Sequence, residues 1–373
     1  MAVYKIFPTK DASIYSVYPN RNTGLDEILE SSTDISISGT PQASRFLVQF
    51  DSTEINDVIN NKISGSQWQA NFRGFVANLS GLNLTTTLEF YPVYGTWNMG
   101  TGKYLYSPEY TDGVSWNYKS YSGSNAWLDN GYPTNVTASY SSGSSGGGNW
   151  YYSSSNATVL PIFSTQSFAY LDSGDIDVNI TNMVKAWYSG SINNNGFIVK
   201  QAVEFVDSED YQVNMKFFSR DTNTIYPPQL EFRWRDYTFN TGSSTLTILN
   251  TQIATVAISE NPGVFYPESI NRFRVNSRPT YPARTWQTSS FYTVNYYLPT
   301  ASYYAIKDLD TNEYVIDFDD QYTQLSLDSI GSYFTLYMNG LEPERYYKIL
   351  IKSIIDGSTI IFDDNYYFKI VNG

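Results

Sequence analysis

Chemistry at a protein site needs groups that hold protons or metal ions, and this sequence offers few kinds of them: its 373 residues include neither His nor Cys. Nucleophiles activated by imidazole, and zinc sites of the usual ligand set, are thereby excluded, leaving carboxylate, Tyr or Lys chemistry. Carboxylates stand close together at Glu204 with Asp207 and at Glu209 with Asp210. Glycoside hydrolysis needs two carboxyl groups about 5 to 9 Å apart across a cleft. Sequence neighbours give no such pair, so a solvated loop is expected there. From Asp308 to Asp320, DLDTNEYVIDFDD has oxygens at positions 1, 3, 5 and 12 of an EF-hand-like count. Glu313 stands where that loop turns on Gly and the flanks alternate as strands, so a hairpin turn is expected and no metal.

A further polar stretch, DASIYSVYPNRNTGLDEILE, runs from Asp11 to Glu30. Asn20, Asn22 and Gly24 are read as the turn after a first strand, with Gly24 expected to supply a positive φ. A Ca²⁺ ion involving Asp11 or Asp26 is the alternative there, although calcium takes six or more oxygens and the segment shows few. No other cofactor is expected. Trp127 and Trp150, with Tyr151 and Tyr152 beside the latter, lie in Gly-, Ser- and Asn-rich segments. Loops of that composition serve recognition, so these four are the candidate contacts to a glycan or a partner. Ordering residues 139–156 carries an entropy that Gly and Ser burial does not offset, so this loop is expected to be mobile alone and ordered on assembly.

The elements that must position these residues are strands. Aromatic residues make up 17%, Tyr alone numbering 34, and charged residues 16%. Such a composition suits pleated surfaces rather than helices. The length gives two domains, taken as 1–235 and 236–373. In SRFLVQFD, Phe46, Val48 and Phe50 alternate with Arg45, Leu47 and Gln49, and PQLEFRW alternates likewise, so both read as half-buried strands. GFIVKQAV, TTLEFYPVYGTW and VNMKFFS are further strands, and Pro92 marks an edge or a bulge. Short helices are expected after Asp51, which has capping-box spacing to Glu54, and over Ile180 to Gly190. Beyond Arg235 to Ser244, strands follow in close succession from FYTVNYYLP to NYYFKIV. A net charge of −13 without a Lys/Arg cluster argues against nucleic-acid binding. The beginning lacks a signal-peptide pattern and no apolar run is long enough to span a bilayer, so synthesis in a cytoplasm and no membrane role are expected.

Several pieces within residues 10–234 together resemble the disaggregatase-related, DNRLRE-type β-sandwich modules. They are KDASIYSVYPNRNTGLDEIL, ASRFLVQFD, TWNMG with VSW, DVNITNMVKAWYSGSINNNGFIVK and KFFSRDTNTIYPPQLEFRW. The resemblance implies a jelly-roll-like sandwich with short helices, polysaccharide binding in some members, and packing roles for Trp97, Trp116 and Trp187. In GLEPERYYKILIKS the spacing of Leu341, Pro343 and Tyr347 resembles the tyrosine corner of immunoglobulin-like and fibronectin type III sandwiches. The Tyr-rich C-terminal strands also look like regions of structural proteins from marine tailed phages.

The expectation is therefore an all-β, non-enzymatic virion protein of a tailed bacteriophage: a neck, tail, fibre-attachment or head-decoration component. It would assemble with other virion proteins as a symmetric oligomer or ring. The alternative is a carbohydrate-binding adhesion module that contacts cell-surface glycans. The accessory domain of a polysaccharide-degrading enzyme comes third, since nothing in the chain reads as a catalytic domain.

Overall fold

Alternation at period two becomes strand wherever a neighbour satisfies the backbone, and strands dominate the chain. The computed structural model describes residues 2–35, 39–82, 85–121, 125–127, 136–138, 146–152, 162–170, 172–205, 212–242, 244–281 and 295–372. Among these, the architecture is all-β with two short α-helices, Ser52–Asp57 and Thr181–Tyr188, and a π-helical turn at Val58–Lys62. The Asp51 carboxylate accepts the Glu54 N–H at 3.3 Å, the cap its spacing predicts. Met183, Val184 and Trp187 form the buried face of the second helix, and Gly190 follows at φ +72°.

Two units make up the chain. One holds Ile6–Asn61 and Gln69–Glu231; the other holds Met1–Lys5, Lys62–Trp68 and Phe232–Gly373. The passage at 231/232 falls near the expected 235/236 division, whereas residues 1–5 and 62–68 group with the C-terminal residues. A physical reason is visible at Val3, which is buried in the same apolar cluster as Phe273, Phe334 and Ile370. Three strands are therefore divided along their own length: the expected one at Gln229–Trp234, and Ala2–Ile6 and Trp68–Gly74, which the sequence reading did not include.

In the N-terminal unit an eight-stranded sheet runs in the order Ser164–Phe168, Thr86–Pro92, Phe197–Gln201, Pro41–Gln49, Ile28–Ile35, Asn214–Phe218, Val76–Ser80, and Lys10–Tyr15 also pairs with Pro41–Gln49. One face of the sheet carries a phenylalanine core, with Phe197 against Phe72, Phe90 and Phe50 at centroid distances of 4.9, 6.2 and 6.5 Å. The half-buried expectation for SRFLVQFD needs correction, because Arg45 and Leu47 are 2% and 0% exposed. Leu47 belongs to a second cluster made by Trp97, Trp116, Trp127 and Trp150, which covers the other face. Alternation identifies two faces of a strand, but it does not say that one of them meets water. PQLEFRW behaves in the same way, with Gln229 and Glu231 both buried.

In the C-terminal unit, a six-stranded sheet is built around Ile270–Pro279, and a five-stranded sheet runs Val264–Phe265, Ser358–Ile370, Tyr346–Ile355, Ser302–Asp308, Tyr314–Ile316. Side chains from both sheets share one core, in which Tyr304 stacks on Phe334 at 4.3 Å and Phe334 on Phe273 at 5.1 Å. The Tyr347 hydroxyl donates to the Glu342 carbonyl five residues upstream, at 3.2 Å, and Leu341 is buried in the core. Tyr347 therefore makes the hydrogen bond of a tyrosine corner, with Pro343 in the turn it closes. Asp308 behaves as a turn residue: its carboxylate accepts the Asp310 and Thr311 N–H groups at 2.8 and 3.0 Å, and Arg345 grips it through two bonds of 2.6 and 2.7 Å.

Candidate functional site

The residues Asn20 to Asp26 turn out to be an anchor. Asn22 is 0% exposed and uses its whole side-chain amide. Its Nδ2 donates to the Met99 and Val114 carbonyls at 2.7 and 2.9 Å, and its Oδ1 accepts the Gly24 and Gly102 N–H groups at 3.2 and 2.9 Å. Four bonds exhaust what one carboxamide offers through two donors and one oxygen. The backbones around it come so close that a Cβ on Gly24 would collide with the Met99 carbonyl, and one on Gly113 with Asn22 itself. The expectation that Gly24 supplies a positive φ is corrected accordingly, since Gly24 is absent from the positive-φ glycines and is needed for close approach. Asn20 accepts from Asn117 Nδ2 at 3.0 Å, tying the same turn to a second segment.

Asp11 and Asp26 serve the backbone as well. Asp11, 1% exposed, accepts the Arg220 N–H at 2.7 Å, and burial raises its pKa to about 8. Asp26 accepts the Tyr104 N–H at 3.2 Å, and burial raises its pKa also. Among the described residues, no group of three or more Asp or Glu side chains converges as a metal set would.

Trp127 and Trp150 were expected in exposed loops, and the structure places them inside. They are 1% and 6% exposed, Tyr151 is 8% exposed, and Tyr152, at 44%, is the one of the four candidates that faces out. Trp127 Nε1 donates to the Ser115 carbonyl at 2.8 Å. Trp150 lies in the strand Asn149–Tyr151, paired with Val136–Ala138, so the Gly/Ser-rich composition on either side hid a strand and a core tryptophan. Of the loop 139–156 that was expected to be mobile, residues 139–145 and 153–156 lie outside the described residues. Trp97, Trp116 and Trp187 are buried, as expected of packing residues.

These tryptophans surround a charge. The Arg45 guanidinium lies 4.8 and 5.5 Å from the ring centroids of Trp116 and Trp150, donates to the Gly147 carbonyl, and meets Glu204 through bonds of 3.0 and 2.6 Å. Glu204, expected in a solvated loop, is therefore one half of a buried ion pair, its side chain 7% exposed. Cation-π contact and a two-pronged carboxylate together satisfy a guanidinium that could not otherwise be buried. The next residue, Phe205, has a left-handed φ of +57° and packs edge-on against Trp116. Asp207, Glu209 and Asp210 lie outside the described residues.

With Asn22 and Arg45 used internally, a surface feature that could take a ligand is a groove of about 610 Å³ on the 106–112 loop. Tyr106, Ser107, Pro108, Glu109, Tyr110 and Tyr121 are among its walls. The three tyrosines are 41%, 45% and 39% exposed, and the Tyr106 and Tyr110 rings lie 5.3 Å apart. The loop is fixed at several points to the Asn20–Asp26 turn. Asn22 N–H donates to the Tyr110 carbonyl at 2.8 Å, Arg21 Nη1 donates to the Tyr104 carbonyl at 2.8 Å, and Arg21 Nε lies 3.5 Å from Glu109. Asp112 closes the base of the loop by accepting from both the N–H and the hydroxyl of Thr101. Sequence reading missed these tyrosines. The available signal was the run KYLYSPEYTDG between TWNMG and VSW, where tyrosine recurs among turn residues in a stretch with no strand alternation.

No family model and no curated protein matches the chain. Similar solved structures include the crystal structure of a DUF4785 family protein from Legionella pneumophila, 6% identical over 98% of this chain and 66% of that one, with a TM-score of 0.21. The chain thus spans 66% of that protein's length, and a likeness at that TM-score carries no argument about function.

Proposed function

We propose that this chain is a non-enzymatic structural protein of a tailed bacteriophage particle, acting through contacts with neighbouring copies and other virion proteins. In this reading the N-terminal unit is a DNRLRE-like jelly-roll sandwich and the C-terminal unit an immunoglobulin or fibronectin type III-like sandwich. It serves in the neck, tail, fibre attachment or head decoration, and its localisation is the virion after synthesis in the host cytoplasm. The observation that carries the reading is the surface display of tyrosine: Tyr170, Tyr266, Tyr281 and Tyr346 stand 79%, 60%, 82% and 51% exposed. Tyrosine offers rigid, amphipathic contact area at small entropic loss. By contrast, Arg45, Glu204, Asp11 and Asp308 are engaged in holding the fold. No helix among the described residues is long and apolar enough to cross a membrane.

The test is mass spectrometry of purified particles together with labelling by an antibody to this chain. The expected result is a fixed copy number per particle and label confined to one part of it. Absence from washed particles of the encoding phage would refute the assignment. A second reading, glycan contact, is favoured by the tyrosine-lined groove.

A further inference from the structure

The chemistry of the 106–112 groove can be taken further, building on the second reading above. We propose that this groove binds a neutral saccharide chain, with Tyr106, Tyr110 and Tyr121 as its stacking surfaces and the Glu109 carboxylate as an acceptor for sugar hydroxyl groups.

Three observations carry this. The groove combines exposed rings with hydroxyl and carboxylate oxygens on one short loop. A pyranose presents both an apolar face of C–H groups, which packs on rings, and an equatorial belt of hydroxyls, which donates to carboxylates. Charge selects among sugars. Glu109 and Asp112 both line the groove, and among the described residues no Lys or Arg does. The chain carries a net charge of −13. A uronic or sulfated chain would therefore meet like charge, whereas a neutral one would not. The Arg21 guanidinium beside Glu109 leaves an acidic oxygen in place without making the site cationic.

The groove is also built in advance. Asn22, Arg21 and Asp112 fix the loop by backbone and side-chain bonds on both sides of the tyrosines. A binding surface already held in shape loses little entropy when a ligand arrives, as weak saccharide contacts require. Repetition would then add strength, because many copies on one particle engage a polymeric glycan together.

The experiment uses the full chain, immobilised for a glycan array and free for titration with neutral cello-, malto-, manno- and xylo-hexasaccharides and with anionic oligogalacturonate. Saturable binding of a neutral hexasaccharide is expected, with oligogalacturonate not bound. Tyr106→Ala and Tyr121→Ala should each weaken binding about tenfold or more with only a small fall in melting temperature, since both rings are partly exposed. Glu109→Gln should weaken it less, because the amide oxygen still accepts. Binding that is indifferent to both tyrosine substitutions, preference for oligogalacturonate, or no binding anywhere on the array would overturn the proposal. Particle incorporation of the same variants separates this inference from the structural assignment. If the unaltered chain binds no saccharide, normal incorporation of the variants sinks the saccharide site alone, and lost incorporation makes the groove a protein contact.

Discussion

Asp11 lies under the turn at Arg220 with its pKa raised to about 8, chiefly by burial, with the nearby Asp221 charge adding to the rise and the Arg220 N–H working against it. An unfolded Asp titrates near about 3.9. Between those values the folded chain keeps a proton that the unfolded chain has released, so stability from this group is complete below the unfolded pKa and lost as pH rises through the folded one. Asp11→Asn keeps an acceptor for the Arg220 N–H and cannot ionise. Its melting temperature should therefore gain on wild type from about pH 5 to about pH 8.5, and parallel curves over that range would contradict the burial argument. Arg45 is a buried charge met by a carboxylate partner. Glu204→Ala should destabilise by about 3 to 5 kcal/mol in urea titration, since it strands a guanidinium under two tryptophans. Replacing both members, Arg45→Met with Glu204→Leu, should lose much less, and equal losses would show that packing rather than charge decides.

Loops and strands are where reading the sequence succeeded and failed for different reasons. The Asp51 cap and the Tyr347 corner were legible because each is a bond across three and five residues, short enough to leave a spacing in the sequence. Arg45 left no such trace: its partners Gly147 and Glu204 are 102 and 159 residues away, and a strand pattern cannot say which loop will roof it. Trp150 misled for a related reason, since low-complexity neighbours describe the chain on either side and not the short strand between. Asn22 was legible as a turn residue but not as the fastener of a loop some 80 residues on. Asn22→Ala removes four hydrogen bonds and leaves the Met99 and Val114 carbonyls without their side-chain donor, for a loss of about 3 kcal/mol or more. Amides from Thr101 to Gly113 should exchange faster in this variant while those of Phe197–Gln201 do not, and uniform change in both would mean that the asparagine supports the whole sheet instead.

Across the whole molecule, the C-terminal unit depends on residues from the far end of the chain. Val3 is buried in its core, and the Lys5 carbonyl accepts from Asn339 Nδ2 at 2.7 Å. Deleting residues 1–5 should lower the stability of that unit by more than the about 1.5 to 3 kcal/mol of one buried valine, since Ala2 is buried too and the Lys5 bond is lost, with hydrogen exchange rising around Asn339–Leu341 and unchanged at Gly102. Loss of protection at Gly102 instead would place the first strand's role in the other unit. The same contact sets an order of events during synthesis. Lys5 and Asn339 are 334 positions apart. At a ribosomal rate of about 5 to 20 residues per second, the Lys5 carbonyl waits roughly 15 to 70 seconds for the side chain that meets it. Residues made so long before their partner are thus among the last to find their place, and for that interval a chaperone or a neighbouring nascent chain has access to a segment that later packs into a core.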